Sequence, residues 1–377
     1  MSPPSHLSIV PFSGPRRPRD QRLDFWRGLC LIDMVLVHLA YQNVQFGDFL
    51  GKAIGGYTRF AAGGFIFISG MSVGIIFLPR ALDACRRMST YRALWRRSLY
   101  ILLFQYVAAL GLILLGRLQG TSSLSDASSP LAVLRDVFLL REGGDLLPFY
   151  VLMIALSPLL LEVVRRRRGW AFLSAGSLGL FIWGQHHPWA FAPAAHRSFG
   201  PVLWQGIFIA GLVFAFFFGR YDALRRRWKL LTAAIAWGVF GLLFVSEYSS
   251  DFGLPHLHLY VSFAKVPLSD GEALRYLSLI VGIIVSTDLL WPLLVGTAAA
   301  EFVQTLGRKS LPVYVAHVWM VAGVSSLAAA WWWMGRWQII LAVASVLLLW
   351  IFALILDLSV PRPRRVAWAA AVAETAQ

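Results

Sequence analysis

Long apolar runs alternate with short polar segments along most of the chain, and this pattern predicts membrane-spanning helices. Most of the runs reach the roughly 20 residues that a helix needs to cross a hydrocarbon core of roughly 30 Å. The fold class is therefore all-α, a polytopic membrane protein of about ten transmembrane helices. The fifth run is the shortest; the ten cover residues 23–44, 54–78, 94–115, 146–164, 170–183, 201–219, 230–245, 274–294, 311–333 and 338–358.

The flanking segments complete the predicted organisation. Residues 1–20 contain five prolines and are expected to form a disordered tail. Residues 21–360 form the ten-helix membrane domain, and residues 361–377 a second tail. Of the 34 lysines and arginines, 25 fall in segments that one side of the membrane would hold. Such a bias marks the cytoplasmic side, so both termini are predicted to be cytoplasmic.

Composition supports the membrane class and argues against nucleic-acid binding. Hydrophobic residues make up 58% of the chain, against about 45–50% in soluble proteins. The net charge of +15 comes from short clusters between apolar runs, as expected for membrane topology signals. The two cysteines show neither metal-ligand spacing nor a disulfide pattern. No metal site is predicted.

The first apolar run is unusual because it carries four ionisable residues, Asp24, Arg27, Asp33 and His38. Such residues are costly inside a bilayer and usually face an interior cavity. At about 100° per residue, Asp24, Arg27 and His38 share one helix face, whereas Asp33 points elsewhere. The rise along the helix places His38 roughly 16 Å deeper than Arg27.

The shared helix face of Asp24, Arg27 and His38 suggests proton transfer and anion binding. A neutral imidazole at His38 can accept a proton, and Arg27 near the membrane surface can hold a phosphate or carboxylate. Asp24, about four turns from His38, is better placed to pair with Arg27 at i+3. The alternative is that His38 only hydrogen-bonds a neighbouring helix and that Arg27 only extends its charge to the membrane surface.

The second run contains GGFIFISGMSVG at residues 63–74. Its glycines, Gly63, Gly70 and Gly74, permit close approach between helix backbones. A functional alternative is that Ser69 and Gly70 border a cavity that faces His38.

The ninth run opens with LGRKSLPVYVAH at residues 306–317. Arg308 and Lys309 precede a helix, and a basic pair at a helix N-terminus favours anion binding. Together with Arg27 they would form a cytoplasmic basic mouth suited to the phosphates of coenzyme A, with His317 about two turns further in. The alternative is that the two cations only anchor the helix at the cytoplasmic surface.

Two segments on the opposite side carry aromatic, histidine and charged residues that suit sugar recognition. Trp189 lies in the first of these segments, and His258 and Lys265 lie in the second. The alternative is an interfacial aromatic belt. The chain contains no phosphate-binding P-loop, no HExxH zinc motif and no GxSxG nucleophile elbow.

Four stretches together resemble one family. They are RDQRLDFWRG at residues 19–28, FIFISG at 65–70, LLPFYVLMIALSPLLL at 146–161, and LGRKSLPVYVAH at 306–317, and Arg27 is followed after ten residues by His38. The chain resembles the type 3 integral-membrane acyltransferases, and more closely their glucan-biosynthesis protein C (OpgC) branch. One position departs from that branch, because Ser278 stands where the branch often has a histidine.

The resemblance implies an O-acyltransferase of the bacterial cytoplasmic (inner) membrane. It would move an acyl group, succinyl in this branch, from cytoplasmic acyl-CoA to a hydroxyl of a periplasmic glucan. Succinyl-CoA or acetyl-CoA would be a co-substrate, and no tightly bound cofactor is expected. In this family the histidine at the position of His38 is treated as catalytic. The departure at Ser278 leaves the acceptor and the acyl preference open.

These arguments assign roles to three groups of residues. The catalytic group is Asp24, Arg27 and His38. The acyl-CoA-binding group is Arg27, Ser69, Arg308, Lys309 and His317. The acceptor-binding group is Trp189, His258 and Lys265. His38 would act as general base or carry the acyl group itself.

Two other classes of function remain open. A multi-pass transporter of a small anion or a lipid-linked sugar would also have buried charges and glycine-rich helices. Carriers often show internal repeats and paired broken helices, which this sequence lacks. A membrane sensor or scaffold is the second alternative. The sequence does not indicate an oligomeric state.

Overall fold

The computed structural model describes residues 20–41, 51–57, 60–119, 146–188, 190, 197–253 and 259–359. This described part of the chain is helical and contains no strand. Short helical turns of other types join the helices at Ala53–Tyr57, Arg197–Phe199, Ser249–Phe252 and Trp332–Gln338. The α-helices are α1 (Gln21–Tyr41), α2 (Ala61–Leu82), α3 (Ala84–Gln119), α4 (Leu146–Val164), α5 (Gly169–His186), α6 (Pro201–Asp222), α7 (Arg226–Tyr248), α8 (Asp270–Leu294), α9 (Ala298–Arg308), α10 (Ser310–Ala330) and α11 (Ile339–Leu358).

The helical membrane architecture is confirmed. Eight helices of the described chain are long and apolar enough to cross a membrane: α2, α3, α4, α6, α7, α8, α10 and α11. The helix α1 has 21 residues but carries several charges, and α5 has 18 residues. The total of ten spans and the orientation of the termini remain predictions.

Several helix boundaries differ from the sequence prediction, and at two places the elements themselves differ. The second apolar run is divided, because a π-helical turn at Ala53–Tyr57 precedes α2. The carboxylate of Asp33 accepts hydrogen bonds from the backbone N–H groups of Phe60 and Ala61, at 2.9 and 2.8 Å. It thereby satisfies two donors at the start of α2. The second difference is α9, an amphipathic helix of 11 residues in a segment predicted to be a loop.

The helix α1 lies inside the helix bundle and contacts α2, α9, α10 and α11. Its contact with α9 brings two backbones together at paired glycines. A Cβ atom on Gly28 would overlap the carbonyl oxygen of Val303, and one on Gly307 would overlap that of Asp24. Only glycine permits this approach, so α9 fixes the position of the Arg27 region of α1.

Glycines also permit close backbone approach between α2 and α6. A Cβ atom on Gly70 would overlap the carbonyl oxygen of Phe208, and one on Gly211 would overlap that of Phe67. A Cβ atom on Gly74 would clash with the side chain of Ala215. The packing role predicted for Gly70 and Gly74 is therefore confirmed.

The outer helices present apolar side chains away from the bundle. Exposed examples are Leu178 and Ile182 on α5, Leu242 on α7, and Leu348 and Ile351 on α11. Such surfaces suit contact with lipid chains, whereas the polar residues of α1 face the bundle interior.

Candidate active site

Two histidines meet in the interior of the bundle. His38 lies near the end of α1 and His317 on α10 is fully buried. Their Nδ1 and Nε2 atoms, respectively, are 3.1 Å apart. The rings are nearly parallel, with an interplanar angle of 12° and centroids 5.3 Å apart. The sequence prediction grouped His317 with the acyl-CoA site, and the structure places its imidazole beside that of His38.

A backbone carbonyl fixes the direction of this hydrogen bond. The Nδ1 atom of His317 bonds to the carbonyl oxygen of Tyr314, one turn earlier on α10. A carbonyl only accepts, so Nδ1 of His317 carries the proton, and a neutral imidazole then has an unprotonated Nε2. That Nε2 accepts, so Nδ1 of His38 must donate to it. The lone pair of His38 therefore lies on Nε2.

Arg27 is held on the same helix, towards the other end. Its guanidinium lies 3.5 Å from the carboxylate of Asp24, which confirms the predicted i+3 pair. A second nitrogen donates to the hydroxyl of Ser72 at 2.5 Å, and that hydroxyl donates to the carbonyl oxygen of Ile68. The side chain of Arg27 is 15% exposed and that of Asp24 is 3% exposed. The guanidinium is thus oriented by Asp24 and Ser72.

A cavity lies against Arg27 between α1, α2, α3, α4 and α10. Its lining includes the hydroxyls of Ser69 and Ser72, as well as Ser310 at the start of α10. Apolar side chains of α2 and α4 form much of the remaining wall. Ser69 does border a cavity, as predicted, but that cavity lies at the Arg27 end of α1, and neither Gly70 nor His38 is among its lining residues.

The lining residues that the sequence prediction missed include Arg97, Tyr150 and Tyr314. Arg97 was given no site role from the sequence, although it lies well inside α3. Its position within a long helix was the available signal. Tyr314 connects the two parts of the site, because its side chain lines the cavity and its carbonyl group holds His317.

The predicted basic mouth is partly neutralised by carboxylates. Arg308 bonds to Glu301 at 2.8 Å, and it lies 3.5 Å from Asp357 of α11. Lys309 lies 4.0 Å from the same aspartate. Both cations immediately precede Ser310, which lines the cavity. They therefore stand at its edge, with carboxylate partners that an incoming anion would have to replace.

The predicted acceptor residues are only partly described. Lys265 is half-buried in the segment before α8 and interacts electrostatically with His38 and Asp33. Trp189 and His258 lie outside the described residues. Within the described chain, no three histidine, cysteine or acidic side chains come together as metal ligands would.

Comparison with known proteins identifies one family. A family model described as OpgC protein matches residues 19–361, which include every helix described above. No curated protein matches the chain.

Proposed function

The chain belongs to the OpgC protein family, and on that basis we propose that it transfers an acyl group from cytoplasmic acyl-CoA to a hydroxyl of a periplasmic glucan. Family membership supports a membrane acyltransferase that acts on glucans. Succinyl is the proposed acyl group, and the bacterial cytoplasmic membrane is the proposed location. Family membership also favours an acyltransferase over the transporter and the sensor.

The observation that carries this proposal is the hydrogen-bonded chain from the Tyr314 carbonyl through His317 to His38. It presents an unprotonated Nε2 on His38 and holds the imidazole in one orientation. In serine hydrolases a carboxylate holds the catalytic imidazole in the same way. Here a second imidazole takes that place. A base held in one orientation suits proton abstraction from a hydroxyl better than a histidine that only joins two helices.

The donor would enter at the Arg27 end of α1. Arg27 and Arg97 line the cavity there and supply positive charge for the phosphates of coenzyme A or for the free carboxylate of a succinyl group. Arg308 and Lys309 would add charge at the edge. The serine hydroxyls and Tyr150 offer hydrogen bonds to the polar groups of the thioester arm.

The transfer step follows from the position of the lone pair. Nε2 of His38 removes the proton of a glucan hydroxyl, and the oxygen attacks the thioester carbonyl carbon. The new C–O bond forms, the C–S bond breaks, and the proton passes from His38 to the leaving thiolate to give free coenzyme A. The imidazolium that forms in between is stabilised by its Nδ1–H bond to His317. The alternative route acylates Nε2 of His38 first and then transfers the group to the hydroxyl.

The decisive experiment measures coenzyme A release by the purified protein with succinyl-CoA or acetyl-CoA, with and without a glucan acceptor. We expect the acceptor to stimulate release. His38→Ala should lower the stimulated rate by roughly 10²–10⁴-fold, the usual contribution of a general base.

A matched control is His186→Ala, because His186 is exposed at the end of α5. It should keep the wild-type rate. Wild-type activity in folded His38→Ala protein would refute the proposed role of His38. Folded wild-type protein that releases no coenzyme A from either thioester would refute the acyl-CoA donor.

A further inference from the structure

An open cleft borders the other end of α1, away from Arg27. It has a volume of about 270 Å³, close to the lower limit of small-molecule sites at roughly 300 Å³. The π-helical turn and the end of α7 supply its other walls. Among the described residues, its lining comprises Ala40, Tyr41, Gly51, Lys52, Gly56, Tyr248 and Asp251.

The cleft is adjacent to the histidine pair along the helix. Tyr41 follows His38 by three residues, so the two side chains are neighbours on the helix surface with Cβ atoms about 5–6 Å apart. Arg27 precedes His38 by 11 residues, which is roughly 16 Å along the axis. The donor cavity and this cleft therefore lie on opposite sides of His38, as the two substrates of a transfer reaction would.

The cleft combines aromatic rings with a charged pair. The side chain of Tyr41 is 57% exposed. The hydroxyl of Tyr248 donates to the carbonyl oxygen of Gly56 at 3.4 Å, which fixes that ring against the π-helical turn. Lys52 and Asp251 form an ion pair at 3.0 Å across the opening. Both members remain accessible, with side-chain exposures of 57% and 30%.

We propose that this cleft binds a sugar ring of the acceptor glucan, with Tyr41 as the stacking surface and with Lys52 and Asp251 as hydroxyl partners. This inference rests on the proposed function and names the acceptor subsite. Sugar rings present an apolar face to aromatic side chains and hydroxyls at their edges. The ammonium group donates to hydroxyl oxygens and the carboxylate accepts from hydroxyl protons.

Charge balance in the cleft favours a neutral, hydroxyl-rich ligand over an anionic lipid headgroup. The positive charge of Lys52 is paired with Asp251, so a phosphate would meet a carboxylate beside its cation. A neutral polyhydroxyl ring can bond to both groups without separating them. The pair is solvent-exposed and contributes little to stability, so Asp251→Asn should leave the fold intact.

The test uses the full-length protein with a panel of linear glucose oligosaccharides as acceptor probes. Tyr41→Ala and Asp251→Asn should each raise the acceptor KM by about fivefold or more, the scale of one stacking or hydroxyl contact. The donor KM and the coenzyme A release without acceptor should stay at wild-type values. Tyr41→Phe keeps the ring and should stay close to wild type.

Tyr100→Ala is the matched control, because Tyr100 is 54% exposed on α3 and lies outside the cleft. Direct oligosaccharide binding by calorimetry provides a readout that does not depend on catalysis. Weaker binding to Tyr41→Ala and Asp251→Asn, but not to Tyr100→Ala, supports the cleft even if the thioester proves to be the wrong donor. Acceptor affinity within about twofold of wild type in both cleft variants, or no oligosaccharide binding to the wild type, overturns it.

Discussion

The two ends of α1 are built in opposite ways. At its first turn Arg22 contacts three carboxylates, those of Asp20, Asp222 and Asp288, and Lys229 bonds to Asp288 as well. The glycine contact with α9 follows within two turns. At the other end a pair of imidazoles is held by hydrogen bonds, and an open cleft follows them.

The first end of α1 is anchored to neighbouring helices, whereas the second end borders an open cleft. Ion pairs from Arg22 to α6 and α8, together with the backbone contact with α9, fix the first end of α1 to its neighbours, so that Arg27 is presented in one place. Tyr41 at the second end is exposed, and in the proposed reaction the acceptor would approach there. In the proposed reaction, this one helix would join the donor site to the acceptor site, with His38 between them.

After His38 itself, the largest expected effect is at His317. His317→Ala and His317→Phe both remove the acceptor for the Nδ1–H group of His38, while phenylalanine keeps the ring volume. A hydrogen bond to a charged group contributes about 1.5–3 kcal/mol, so kcat should fall by roughly ten- to a hundredfold. The donor KM should change little, because His317 does not line the donor cavity.

His317→Gln provides the rescue, since its amide oxygen can accept the same hydrogen bond. Steady-state kinetics on the wild type and the three His317 variants would compare their kcat values, and thermal unfolding would verify that each variant is folded. If the phenylalanine variant matched the wild-type kcat, the histidine chain would have only a packing role.

The chemistry of α1 was accessible from sequence because it depends on one helix. The spacing of Asp24, Arg27 and His38 fixes their common face, and the Asp24–Arg27 pair follows from the i+3 geometry. The partner of His38 was not accessible in this way. His317 is 279 residues away, and the alignment of α1 with α10 depends on packing between helices that a single sequence does not reveal.

A single sequence also did not reveal the helix α9 or the role of Arg97, because both depend on packing between helices. The helix α9 is too short to register as a membrane span, and its 11 residues include a charged and polar face typical of a loop between spans. Arg97 follows Arg96 at the edge of an apolar run. Counting such residues identifies a membrane side but does not show which of them points inward. The helical membrane class was predictable because hydropathy alone determines it.

The second expected effect is at Arg27 and acts on the donor. Arg27→Ala removes a guanidinium that is oriented by Asp24 and Ser72, and the lost charge-assisted bond should raise the donor KM by about tenfold or more. The acceptor KM should stay near wild type, in contrast to the cleft variants. Arg27→Lys keeps the charge without the planar fork and should give an intermediate value. A donor KM unchanged in Arg27→Ala would place the thioester elsewhere.

The smallest expected effect is at Arg97, which shares the donor cavity but is more exposed than Arg27. An exposed side chain loses more conformational freedom when it binds an anion, so Arg97→Ala should raise the donor KM by only about threefold to tenfold. Arg96→Ala is the matched control, because Arg96 is the exposed neighbour that does not line the cavity.

Comparing succinyl-CoA with acetyl-CoA then assigns the role of Arg97. A defect confined to succinyl-CoA would mean that Arg97 contacts the free carboxylate of the acyl group. Equal defects with both thioesters would mean that it contacts coenzyme A, and equal values for the Arg96 and Arg97 variants would remove Arg97 from the site.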